Sequence, residues 1–257
     1  MTQENNNKAR EVLKRMFEDP EHRRLRAFHE CGHAVWLFLD GRECDIHYID
    51  IARRDFGPGA NDFDTGVCAY GGDAYCARWV SLGGSRKEQL ARAARCVAFA
   101  FAGVVCEWIA QGENDPKMLW QDGLRAEWEN LVDTETTFAD NPQLGLTDFG
   151  IALKAAYAVF PSEVQPINSV SFRLQRYFER SVRCSVATFS RPDVWQLVEA
   201  LAREFDPVTQ DRLEGDRARQ IIRGLWGENR NENIPLHRLG PKWGRRYGCL
   251  LPKQPSW

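Results

Sequence analysis

Residues 25–40 read LRAFHECGHAVWLFLD. Leu25, Phe28, Gly32, Val35, Trp36 and Leu39 recur at the spacing of one helical face, an apolar stripe that predicts an amphipathic α-helix. Just upstream, Asp19-Pro20-Glu21 is a helix start, with an N-cap carboxylate, a proline at the first helical position and an acid at the positive end of the dipole. Gly41 is the expected stop. His29, Glu30 and His33 form an HExxH pattern beside the stripe. Residues four apart leave a helix on the same side, so both imidazoles can meet one zinc ion. Glu30, next to the first ligand, is placed to act as general base on the water that zinc activates.

A catalytic zinc needs a third protein ligand and one open position. Two other histidines lie downstream, His47 and His237, and they qualify by residue type alone. No third histidine follows His33 at the six-residue spacing of the metzincins. Two carboxylates stand out instead. Glu107 lies among Ala100, Gly103, Val104 and Ala110, where a buried acid needs a partner. It fits a zinc ligand, an acceptor for a ligating imidazole N–H, or a salt bridge to an arginine. Asp148 sits at a helix start, where N-capping is sufficient reason for an acid. Spacing alone leaves the choice open.

Working outward, residues 8–18 predict a short helix behind a polar start. Ile46–Ala52 and Thr65–Tyr70 read as short strands, with the loop DFGPGANDFD between them. The first of these strands offers an edge on which an extended peptide could pair. Ser85-Arg86-Lys87-Glu88 is a capping box for a helix reaching about Gln111 and closed by Gly112. A stretch at about 113–146 is irregular and acidic; from Glu113 to Asp148 nine acidic residues face two basic ones. Thr147 or Asp148 caps the next helix, which Pro161 ends. Three more helices are expected at about 168–188, 192–205 and 215–225. From His237 to Trp257 there are five basic residues and no acidic one, with Trp243 and Tyr247 as stacking groups should the tail meet nucleic acid.

The 257 residues are 43% hydrophobic, with nine Trp and fourteen Phe, enough to bury a sizeable core. The 34 Lys and Arg nearly balance the 36 Asp and Glu, which argues against disorder and against wholesale nucleic-acid binding. No apolar stretch of the kind a signal peptide needs opens the chain, and Cys96–Ala110, the most apolar run, reads as too short to span a bilayer. The eight cysteines contain no CxxC pair and are expected as reduced thiols in a cytoplasmic protein.

The stretch FHECGHAVW (28–36) resembles the HEAGHA helix of the FtsH-type zinc peptidases, the protease half of the membrane-anchored AAA+ proteases. Three further stretches resemble that family in the same order. SRKEQLARAARCVAFAFAGVVCE (85–107) is similar to a helix ending in Ala-Gly-Arg-x-Ala-Glu, with Glu107 at the Glu. LTDFGIALKAAYAVF (146–160) is similar to an Asn-Asp-hydrophobic-x-x-Ala-Thr helix, and DVWQLVEALAREF with LEGDRARQII to the C-terminal helices. In that family the Asp of the Asn-Asp pair is the third zinc ligand, which implies Asp148. Val104, Thr147 and Cys31 stand where the family has Arg, Asn and Ala.

The resemblance implies a mainly α (α+β), zincin-like helical metallopeptidase domain with a small β-sheet over residues 20–226. A polar segment with a short helix (1–19) precedes it, and an extended basic tail (227–257) follows. Its site would hold Zn2+ through His29, His33 and Asp148, with Glu30 catalytic. The sequence contains no GxxxxGK[ST] loop to cradle nucleotide phosphates. The expectation is therefore an ATP-independent endopeptidase acting on protein or peptide substrates, without a membrane partner. No oligomeric state is carried over from the family, whose hexameric ring is tied largely to its motor half. A regulatory peptidase dedicated to one partner protein is the second reading, and a catalytically silent binding module the third.

Overall fold

The computed structural model describes residues 19–52, 54–55, 63–64, 67–70, 80–81, 83–113, 148–160, 172–206 and 209–228; the residues within 54–70 and 172–175 are described by backbone alone. Among the described residues there are six α-helices and five short strands, in the order α1 (Pro20–Leu39), β1 (Ile46–Asp50), β2 (Arg54–Asp55), β3 (Phe63–Asp64), β4 (Val67–Tyr70), α2 (Arg86–Ala110), α3 (Asp148–Val159), α4 (Phe172–Phe189), α5 (Pro192–Arg203), β5 (Arg212–Glu214) and α6 (Gly215–Glu228). The architecture is mostly helical with little sheet, as the sequence predicts. The expected helix over 8–18, the acidic stretch over 114–146 and the tail from residue 229 lie outside the described residues, and α6 runs to Glu228, two residues into the stretch expected to be extended.

The ends of α1 and α2 follow from local chemistry. The Asp19 side chain accepts the Glu21 N–H at 2.9 Å, with Pro20 in the first turn. At the other end Gly41 turns the chain with φ +75°, and the Arg42 and Gly41 N–H groups bond back to Leu37 and Phe38. That reciprocal pattern satisfies carbonyls a helix end leaves open. Ser85 and Glu88 form the expected capping box at the start of α2, and Gly112 (φ +85°) closes it.

Helix α2 is the hub, packed against α1, α3 and α4. Eleven of its 25 residues are buried, including the unbroken run Cys96–Gly103. A helix apolar on every side belongs in a protein core or a membrane. The apolar run Cys96–Ala110 is the C-terminal part of a longer helix, Arg86–Ala110, which by length and composition alone is long and apolar enough to cross a bilayer. Within the described fold its apolar surface is covered by neighbouring helices.

Helices α1 and α2 run antiparallel: Arg24 Nη2 donates to the Ala110 carbonyl at 3.1 Å, and His33 Nδ1 to the Phe99 carbonyl at 3.0 Å. The Asp40 carboxylate, almost fully buried, pairs with Arg95 at 2.8 Å and locks the far end of the same contact. Gly32 permits the approach. A Cβ there would stand 2.6 Å from the Ala102 carbonyl oxygen and 2.8 Å from Cys106 Sγ. Any side chain at 32 would therefore push the two helices apart.

The sheet departs from the sequence reading in two ways. Strand β1 is central, antiparallel to β4 on one side and β5 on the other, so its edge is not open for a peptide to pair with. Among the described residues no further strand pairs with the outer edges of β4 and β5, and α1 packs on β1 and β4. Strand β5 has three residues, too short a run to carry a periodicity in the sequence. The expected loop between the first strands contains a small antiparallel ladder, Arg54 and Asp55 opposite Asp64 and Phe63. The cysteines also differ from the all-thiol expectation: Cys31, Cys44, Cys96 and Cys106 are free, but Cys184 is disulfide-bonded.

Candidate metal centre

Helix α1 carries His29, Glu30 and His33; α2 crosses behind them with Glu107, Gly103 and Phe99; and α3 begins with Asp148. The apolar and small residues Phe149, Gly150, Ala152, Leu153, Ala155 and Ala156 bury α3, which packs on α2. That packing brings Asp148, 119 residues from His29 in the chain, over the α1 histidines. His29 Nε2 lies 2.8 Å and His33 Nε2 3.2 Å from the same oxygen, Asp148 Oδ2. One ligand atom from each of the three residues falls within 4.8 Å of the others.

The outer nitrogens are engaged as well. His33 Nδ1 is within 3.0 Å of the Phe99 carbonyl, which can only accept, so this nitrogen carries a proton. His29 Nδ1 is 3.2 Å from Glu107 Oε2. Both rings are therefore oriented from behind, leaving their Nε2 atoms to face Asp148. Two imidazole lone pairs and a carboxylate oxygen at these distances need a proton or a cation among them. The donor set, two imidazole nitrogens and one carboxylate, suits a catalytic zinc. The fit extends to the outer partners, because ligating imidazoles usually donate their second N–H to a carboxylate or carbonyl.

Protons show the same tension. Burial alone would lower the affinity of His29 for a proton, but hydrogen bonds to Asp148 and Glu107 outweigh it and hold the imidazole well above its ordinary value. Burial would raise Asp148; the His33 charge and hydrogen bonds from both imidazoles overcome it and leave the carboxyl below the usual range.

Glu30 is buried beside the first histidine, and its charge acts on the His29 ring. Glu107 does not meet the expectation of a buried acid: its side chain is 35% exposed, and it faces the outer nitrogen of His29, away from the shared Asp148 oxygen. The salt bridge to an arginine weighed for it is replaced by this contact. His47 is exposed on β1 and lies outside the group, and His237 lies outside the described residues. Sequence reasoning missed the Phe99 carbonyl, a main-chain acceptor without any residue-type signal, and the part played by Gly103. Compared with known proteins, the chain matches no protein-family model, no curated protein and no solved structure.

Proposed function

We propose that this chain is a zinc metalloendopeptidase of zincin-like fold, akin to the FtsH-type peptidases, which cleaves protein or peptide substrates in the cytoplasm without ATP. The observation that carries this reading is the convergence of both Nε2 atoms on Asp148 Oδ2 while both Nδ1 atoms are held from behind. The resemblance of four ordered stretches to that family supports it, as does the buried acid next to His29.

His29, His33 and Asp148 would hold the ion, and Glu107 and the Phe99 carbonyl would keep the two rings in register. When bound, zinc supplies a Lewis acid that polarises a peptide carbonyl and makes water a competent nucleophile near neutral pH. Glu30 takes a proton from the attacking water and returns it to the leaving amine nitrogen. A buried carboxylate is suited to this task because it exchanges the proton out of reach of bulk water. The outer edge of β4, on the strand that packs with β1 against α1 and unpaired among the described residues, is a place for an extended substrate to lie.

Metal analysis of the purified protein beside its Glu30→Gln variant, with casein as an unfolded substrate, tests the reading. The expected result is one zinc in each protein and cleavage lowered about 100- to 10,000-fold in the variant. Undiminished proteolysis by Glu30→Gln would falsify the assignment of the base. Zinc binding with no turnover of casein, but loss of one particular protein in cells, would favour the peptidase dedicated to a single partner. Zinc binding with no cleavage in either assay would favour the silent binding module.

A further inference from the structure

Gly103 occupies the interior of α2, where its backbone has no need of a glycine: the positive-φ glycines among the described residues are Gly41, Gly84 and Gly112. Glycine is also the poorest helix former after proline. Something other than the backbone keeps alanine out. A Cβ at this position would stand 2.5 Å from His29 Nε2 and Cδ2 and 2.6 Å from His33 Nε2. Carbon and nitrogen atoms in comfortable contact lie roughly 3.5–4.0 Å apart. The methyl group would therefore press on the two nitrogens that face Asp148.

We propose that Gly103 is a positioning residue of the metal centre, whose missing side chain keeps the space between the two imidazoles open for the ion. The inference rests on the zinc reading above. A ring at the end of a free side chain would swing aside, but these two cannot do so freely. His29 is held at Nδ1 by Glu107, and His33 by the Phe99 carbonyl. A ring that turned away from a methyl would give up its outer bond or rotate Nε2 away from Asp148. Either movement misplaces a ligand atom.

The neighbouring glycine of the same interface has a different task. Gly32 opposes the Ala102 carbonyl and Cys106 Sγ, so it sets how closely α1 approaches α2. Gly103 opposes the ligand rings themselves. The close approach granted by Gly32 is what makes a side chain at 103 intolerable. One glycine serves the fold and the other serves the ion.

The test uses the full chain and Gly103→Ala, each also in a background where His29 and His33 are both replaced by alanine. Zinc affinity is measured by competition with a chelating dye, and thermal midpoints are measured on all four metal-free proteins. Gly103→Ala is expected to bind zinc at least 100-fold more weakly than the parent. Its metal-free midpoint should fall in the parent background and rise in the double-alanine background, where alanine is the better helix former and meets no ring. A single variant that fails to fold while the triple variant folds supports the same steric cause. Zinc affinity equal to the parent's, or a midpoint lowered equally in both backgrounds, overturns the proposal. A parent chain that takes up no zinc overturns the metal reading instead, and the midpoints still report whether Gly103 makes room for the rings.

Discussion

Glu107 Oε2 lies 3.2 Å from His29 Nδ1, while the opposite nitrogen of the same ring lies 2.8 Å from Asp148 Oδ2. One imidazole thus separates two carboxylates with different tasks. Asp148 also reaches His33 and shares a point with both Nε2 atoms; Glu107 touches the back of one ring. The consequence is a graded response to mutation. Asp148→Ala is expected to abolish stoichiometric zinc binding, whereas Glu107→Gln, which retains an acceptor but loses the charge, should weaken it about 10- to 100-fold. Chelator competition ranks the two, and the opposite order would exchange their roles.

The metal-free centre should show a stability window in pH. His29 is raised above the ordinary imidazole value, so its contribution is complete below about pH 6.5 and is lost as pH rises through its own higher value. Asp148 is lowered, so its contribution is complete above about pH 3.9 and is lost as pH falls through its own lower value. The advantage of the parent over Asp148→Asn should therefore be greatest between about pH 4 and 6.5, read as the difference in urea midpoints in the presence of chelator.

Zinc uptake follows from the same proton. An ion must displace it from His29, so apparent affinity is expected to fall steadily as the pH is lowered, with protons released on binding. Titration calorimetry in buffers of different ionisation enthalpy counts them, and an uptake independent of pH would contradict the hydrogen-bonded pair of His29 and Asp148.

Gly32→Ala should destabilise the fold by about 1–3 kcal/mol, the usual penalty of overpacking, because the obstructing atoms include a main-chain carbonyl that cannot swing aside. Urea unfolding of the metal-free proteins measures it. A neutral substitution would show that the two helices can separate without cost.

Among the four free cysteines described, only Cys44 is exposed. Burial pushes the Cys106 thiol well above its ordinary value, which disfavours the reactive thiolate. Brief alkylation of the native protein should mark Cys44 and spare Cys31, Cys96 and Cys106 until denaturant is added, as peptide mass mapping would reveal.

How much of this was legible in the chain depends on the range of the interaction. The limits of α1 and α2 were readable because Asp19, Ser85, Glu88, Gly41 and Gly112 act on backbone groups within a few residues. The HExxH pairing was readable for the same reason: helical geometry brings His29 and His33 to one side whatever surrounds them. The strand at Ile46 was recognisable by residue type, but its neighbours were not. Pairing with Arg212–Glu214 joins segments more than 160 residues apart, and it turned an expected edge into the centre of the sheet.

The sequence by itself determined two capped helices, one of them carrying two imidazoles and an acid in register. Spacing left Asp148 and Glu107 open and the family resemblance implied Asp148; the tertiary structure brings Asp148 to the two Nε2 atoms and Glu107 behind one ring. It also decided that a backbone carbonyl orients the second ring and that the space between the rings is kept by a glycine. Helix periodicity and capping are encoded over a few residues. The relation of Asp148 and Glu107 to His29 spans 119 and 78 residues, and it exists only once α1 and α3 have packed on α2.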